Sequence, residues 1–162
     1  MGKKNYLIEG VSGAGKTSVC TELERRGYHC VHGDRELAYQ GDPETGEPTE
    51  GFAHGNHIWD VAKVQALVDN KEFETTFFCG GSRNFSKFIE LFDRVFVLEV
   101  DLDTLRRRLA ARPADEWGGE PPKWEFIARL HQTKEAIPVD GIVIDATVPL
   151  AYVVDEILRR AI

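Results

Sequence analysis

The chain has 162 residues, enough for one α/β domain with its own core and too few for two. With 42% hydrophobic and 29% charged residues the composition is that of a globular protein, and a formal charge of −7 argues against a broad nucleic-acid footprint. Three cysteines, Cys20, Cys30 and Cys79, form no C-x-x-C pair, so they read as small buried thiols and not as a disulfide or zinc framework. Neither a secretory leader nor a membrane-length apolar run is visible, and the expectation is a cytoplasmic protein without membrane or nucleic-acid partners.

In chain order, Tyr6-Leu-Ile8 is an apolar run of the kind a buried parallel strand needs. It leads into Gly10-Val-Ser12-Gly13-Ala14-Gly15-Lys16-Thr17, the spacing of a phosphate-binding P-loop. Glycines there let the backbone turn its N–H groups toward an anion, Lys16 supplies a point charge for β- and γ-phosphates, and Thr17 offers a hydroxyl to Mg²⁺. Ser18 follows on the helix that Val19, Cys20 and Leu23 define and Gly27 ends, and the helix dipole adds to anion binding. Strand, glycine loop and helix in that order make a nucleoside triphosphate site.

Tyr28–His32 reads as a second strand, and Gly33-Asp34-Arg35 lies at its tip, where open α/β sheets hold ligands. Asp34 is read first as a magnesium ligand or base for a substrate hydroxyl, with a helix cap as the alternative; Arg35 is a candidate anion clamp. Residues 39–57, rich in Gly, Pro and acids, predict a long loop. His54 and His57 within it raise a metal question that no third ligand at zinc spacing supports, and they read instead as edging a substrate pocket or as exposed. Trp59, Val61, Val64, Leu67 and Val68 predict a helix, with Trp59 in the core or on a pocket wall.

A third strand runs Glu74–Cys79, and Gly80-Gly81-Ser-Arg83 at its tip permits close backbone approach with an arginine for an anionic oxygen. Phe85, Phe88, Ile89 and Phe92 have helical spacing. Residues 94–100 form the clearest buried strand, followed by a helix carrying Arg106, Arg108 and Arg112. Arg108 and Arg112 share one face, either solvated or a clamp below a mobile flap over 113–123. A fifth strand at 141–145, an exit loop Ala146-Thr147-Val-Pro149 and a closing helix over 150–162 complete the chain.

Alternating strands and helices predict a parallel sheet covered on both faces. On these residues the chain resembles the small P-loop kinases, the nucleoside and nucleotide kinase-like group with its shikimate kinase-like relatives. The resemblance implies a three-layer α/β/α P-loop fold, a five-stranded parallel sheet of order 2-3-1-4-5 and a short lid. The whole chain, 1–162, would be one kinase domain, with acceptor-binding segment 35–66 and lid 113–123. It further implies Mg-ATP as phosphoryl donor and a small acceptor, foremost a nucleoside or nucleotide, with a sugar acid, antibiotic or other metabolite as the alternative, in a monomer or homodimer.

Residue by residue, the resemblance puts Gly10 and Ser12 to Ser18 on the phosphates, Arg108 and the Thr147–Pro149 loop on the adenine, and Arg112 on the transferred phosphate. Asp34, Arg35, Trp59, Gly80, Gly81 and Arg83 would line the acceptor site, with Lys16, Asp34, Arg108 and Arg112 catalytic and Thr17 and Asp34 near the metal. One departure stands out: where such kinases commonly end the third strand with a magnesium-holding Asp, this chain has Cys79, a poor ligand for a hard cation. A GTPase switch is disfavoured, because Asn70-Lys71-Glu72-Phe73 lacks the Asp of a guanine motif. A P-loop ATPase without an acceptor remains the third reading.

Overall fold

A computed structural model describes residues 2–10, 15–51, 56–70, 73–100, 103–104, 107 and 141–161. Ser12, Gly13, Ala14, His54, Arg106, Arg108, Arg112 and the 113–123 lid lie outside them. Five parallel strands form the main sheet: β1 (Gly2–Gly10), β2 (His29–His32), β5 (Phe73–Cys79), β6 (Arg94–Glu99) and β7 (Ile142–Asp145). Their order is β2-β5-β1-β6-β7, the 2-3-1-4-5 arrangement expected. Register places Ile8 beside Cys79 and Gly10 beside Leu98, while His32 stands beside Cys79 on the other side of β5. The carboxyl ends of β1, β2 and β5 therefore open onto one edge, where loops can converge on a ligand.

Side chains of β1 alternate between the two faces, as a pleated strand requires. Tyr6 and Ile8 join Val19, Cys20 and Leu23 of α1 (Lys16–Arg25) and Val153, Val154 and Ile157 of the final helix, Leu150–Ala161. Leu7 joins Val31, Trp59, Val64, Phe78, Phe88 and Phe92 on the opposite face. Strand β1 is thus covered on both sides, which explains its unbroken apolar run. Among the described residues the three cysteines are buried, free thiols. None of the described helices is long and apolar enough to cross a membrane.

Three local expectations are corrected. The 39–57 segment is not simply a loop: β3 (Ala38–Gln40) pairs antiparallel with β4 (His57–Trp59), Ala38 opposite Trp59 and Gln40 opposite His57. An Asp42 turn supports this ribbon, its carboxylate accepting the Glu44 N–H at 2.8 Å, and a Gly41–Pro48 bridge extends it. Trp59 consequently belongs to a strand. The next helix, α3 (Val61–Asp69), begins after Asp60, whose side chain accepts the Lys63 N–H as an N-cap. The aromatic run from Phe85 forms two 3₁₀ turns, Phe85–Lys87 and Ile89–Leu91, in place of an α-helix. Spacing of three fits the 3.0-residue period of a 3₁₀ turn as well as an α-helix, and Phe88 and Phe92 still reach the core.

Candidate active site

At the tip of β1, Gly10 and Gly15 take positive φ values of 151° and 106°, conformations that favour glycine. Gly15 is the N-cap of α1, so Lys16, Thr17 and Ser18 form the first helical turn. Lys16 folds back and donates from Nζ to the Gly10 carbonyl at 2.5 Å, spanning the mouth of the glycine loop. A helix N-terminus and a lysine at one loop make an anion-binding arrangement.

Asp34 sits across the sheet edge from this lysine. It does not cap the helix that contains it, α2 (Gly33–Glu36): the N-cap is His32, whose backbone N–H is taken by the Glu36 carboxylate at 2.6 Å. Asp34 instead turns Oδ1 into a nest of three donors: His57 Nε2 at 3.0 Å, Trp59 Nε1 at 3.3 Å and the Gly81 N–H at 3.3 Å. Burial alone would raise its pKa, but the bond from His57, the Lys16 charge and the Trp59 N–H outweigh it and hold the carboxyl below its usual value. Nearly half of this side chain remains exposed, 46%, so the group is anchored on one oxygen and open to solvent.

Close packing under Asp34 depends on missing side chains. A Cβ on Gly33 would lie 2.2 Å from the Trp59 ring, and one on Gly80 would lie 2.8 Å from Asp34 Oδ1. Trp59 is itself wholly buried and stacks on Phe88, ring centroids 5.5 Å apart. It acts on the site through its N–H, while its ring belongs to the core.

The loop after β5 is tied to the ribbon by an asparagine. Asn84 accepts the Trp59 N–H at 3.1 Å and donates to the Trp59 carbonyl at 3.0 Å, as a neighbouring strand would. Its Oδ1 also takes the Ser82 hydroxyl, and the Arg83 N–H reaches the His57 carbonyl at 2.8 Å. Arg83 is half-buried in this loop, and Arg35 is exposed on α2. Thr147 and Pro149 are exposed beyond β7, where Thr147 donates from N and Oγ1 to the Asp145 carboxylate.

Glu9 and Asn84 are not anticipated from the sequence as site residues, and His57 reads there only as a pocket edge or an exposed side chain, without its contact to Asp34. Glu9 shares the Leu7 face of β1 and is 1% exposed. Its two oxygens are the only buried side-chain polar atoms among the described residues without a hydrogen-bond partner. Burial, the largest influence, pushes its pKa up to about 8; Lys16 pulls it down, Asp34 pushes it up, and the N–H groups of Gly10 and Ser82 pull it down. Those N–H groups approach the carboxyl without completing a well-formed bond. Thr17, Asp34 and Glu9 all carry hard oxygen donors, and the buried, unpartnered Glu9 oxygens are chemically compatible with a divalent cation.

A parallel 2-3-1-4-5 sheet with a glycine loop, lysine and helix at β1, and an acid facing them from β2, defines a small P-loop kinase-like protein. The chain belongs to the AAA-domain family, whose pattern matches residues 7–120. It is similar in fold to a gluconokinase from Sinorhizobium meliloti 1021, at 21% identity and TM-score 0.59, covering 98% of this chain and 93% of that one. A deoxyadenosine kinase from M. mycoides with bound dATP superposes with TM-score 0.54 at 16% identity, covering 97% and 98%. A shikimate kinase from Bacteroides thetaiotaomicron gives 0.54 at 14%, covering 97% of each. No curated protein matches.

Proposed function

We propose that this protein is an ATP-dependent kinase that transfers the γ-phosphoryl group to a hydroxyl of a small acceptor. The observation that carries the reading is the Asp34–His57 pair, set at the same sheet edge as Lys16 and separated from it by side-chain-free Gly80 and Gly81. A donor phosphate on the glycine loop and an acceptor hydroxyl on Asp34 would meet over those glycines.

Catalysis then rests on positioning and charge neutralisation, as phosphoryl transfer requires. Lys16 leaves the Gly10 carbonyl to hold the β- and γ-phosphates. Asp34, ionised throughout the physiological range, accepts the hydrogen bond of the acceptor hydroxyl and takes its proton as the new O–P bond forms and the γ-phosphorus separates from the β–γ bridging oxygen, which leaves with ADP. His57 fixes the carboxylate from behind. Mg²⁺, held near Thr17 with Asp34 or Glu9, supplies Lewis-acid neutralisation of the phosphate oxygens when bound. Arg108 and Arg112 are assigned to the adenine and the transferred phosphate, Arg83 and Arg35 to acceptor anions, and Thr147–Pro149 to the adenine. Exclusion of water is assigned to the 113–123 segment.

A nucleoside or nucleotide is the leading acceptor. A second reading, a polyhydroxylated sugar acid, is favoured by one observation: Trp59, the aromatic best placed to stack on a base, is wholly buried. An ADP-release assay with Mg-ATP tests both, run against nucleosides, nucleoside monophosphates, gluconate and shikimate. One acceptor raising turnover well above the background establishes the kinase and its substrate class. Hydrolysis indifferent to every acceptor would replace it with an ATPase.

A further inference from the structure

Glu9 is out of place by ordinary packing rules. A buried carboxyl with no hydrogen-bond partner costs folding free energy that an apolar residue at the same position would not. The fold nevertheless keeps it one residue before Gly10, whose carbonyl holds the P-loop lysine. A Cβ on Gly81 would lie 3.2 Å from Glu9 Oε2 and 3.4 Å from Lys16 Nζ. The carboxyl and the ammonium thus border one spot that glycine leaves open.

Charge identifies what belongs there. Lys16 brings triphosphate oxygens to this edge, and the Glu9 carboxyl, once ionised, repels them unless a cation lies between. The other groups are less suited to hold one. The β5 terminus is the Cys79 thiol, soft and buried, and Asp34 has Oδ1 taken by three donors, which leaves it one oxygen, Oδ2, against the two of Glu9. The two Glu9 oxygens are hard donors that no completed hydrogen bond holds, although the Lys16 charge and the Gly10 and Ser82 N–H groups favour their ionised form.

We propose that Glu9 is an oxygen ligand, directly or through one water, of the divalent cation that enters with the nucleoside triphosphate. This rests on the nucleotide-binding reading above and assigns its metal to a residue of β1, in place of the Asp34 carboxylate alone. The carboxyl is kept empty-handed in the unliganded fold because its partner arrives with the substrate.

The test uses the full chain and Mn²⁺ as the probe. ATP binding is measured by calorimetry in EDTA, and Mn²⁺ binding to the protein–ATP complex by loss of the free-ion paramagnetic resonance signal. Glu9→Gln keeps the shape of the protonated side chain and removes its charge. The expected result is about tenfold or greater weakening of Mn²⁺ binding, with ATP affinity in EDTA unchanged or tighter. Glu9→Asp, which keeps the charge and shortens the reach, should fall between, and carries the test if the glutamine variant fails to fold. Mn²⁺ affinity within about twofold of wild type in the variant overturns the proposal. Unaltered Mn²⁺ binding with a raised acceptor KM overturns it in favour of an acceptor contact. Failure of the wild-type protein to bind ATP at all removes the P-loop reading, and this proposal with it.

Discussion

Glu9 makes the stability of the metal-free, nucleotide-free protein fall as pH rises. Its carboxyl moves from an ordinary 4.5 to about 8 in the folded chain. Below the lower value both states hold the proton and no difference arises. Between the two values the unfolded chain has released the proton while the folded chain keeps it, so folding weakens with pH. Above about 8 both states are ionised and the loss is complete. Each pH unit in the window corresponds to about 1.4 kcal/mol, and the full shift to an upper limit of about 5 kcal/mol, a large share of a domain's ordinary stability. Glu9→Gln cannot ionise and loses this slope. Urea denaturation of both proteins in EDTA, from pH 5 to 9, reads the difference directly. The variant should gain on wild type steadily up to about pH 8 and then hold a constant margin. A difference that does not vary with pH would refute the reasoning, because it would mean that Glu9 ionises alike in both states.

Other perturbations separate the remaining roles. Lys16→Ala should abolish phosphoryl transfer in the ADP-release assay while leaving thermal stability near wild type; normal turnover would sink the P-loop assignment. Asp34→Asn should leave ATP affinity in calorimetry nearly intact and cut turnover about 100-fold or more. A collapse of ATP binding would instead make Asp34 a metal or structural residue. Asn84→Ala leaves the Trp59 backbone N–H and carbonyl without their partner, and should cost about 1–3 kcal/mol in urea denaturation; a change near zero would mean that water replaces the amide. Gly33→Ala sets a methyl against the Trp59 ring, and should destabilise by about 1–3 kcal/mol through overpacking, read as a lower melting temperature.

The sheet was legible because its central strands are apolar on both faces: Tyr6–Ile8, Phe77–Phe78 and Val95–Leu98 need no partner to be read as buried strands. The glycine loop was legible because its spacing is itself the chemistry. The β3–β4 ribbon was not, since each strand has three residues and sixteen Gly-, Pro- and acid-rich positions separate them. Its pairing is set by the Asp42 turn and by Asn84 from elsewhere in the chain. His57 shared the same obscurity, because its role exists only through contact with Asp34, 23 residues earlier. Glu9 left one signal: an acid directly after the apolar run Tyr6–Ile8 and directly before the first loop glycine. A single acid between an apolar run and a glycine loop does not reveal from sequence that it is buried.

Gly33, Gly80 and Gly81 together form a floor that has no substituents to vary. A larger residue at the first two meets the Trp59 ring or the Asp34 carboxylate, and at the third it fills the gap between Glu9 and Lys16. Under the proposed function, with an acceptor over these glycines, divergence toward new acceptors is denied its simplest route, a larger side chain on this floor. It must proceed from the rim, through Arg35, His57, Arg83 and the ribbon, so related chains with different acceptors should share the floor and differ along that rim.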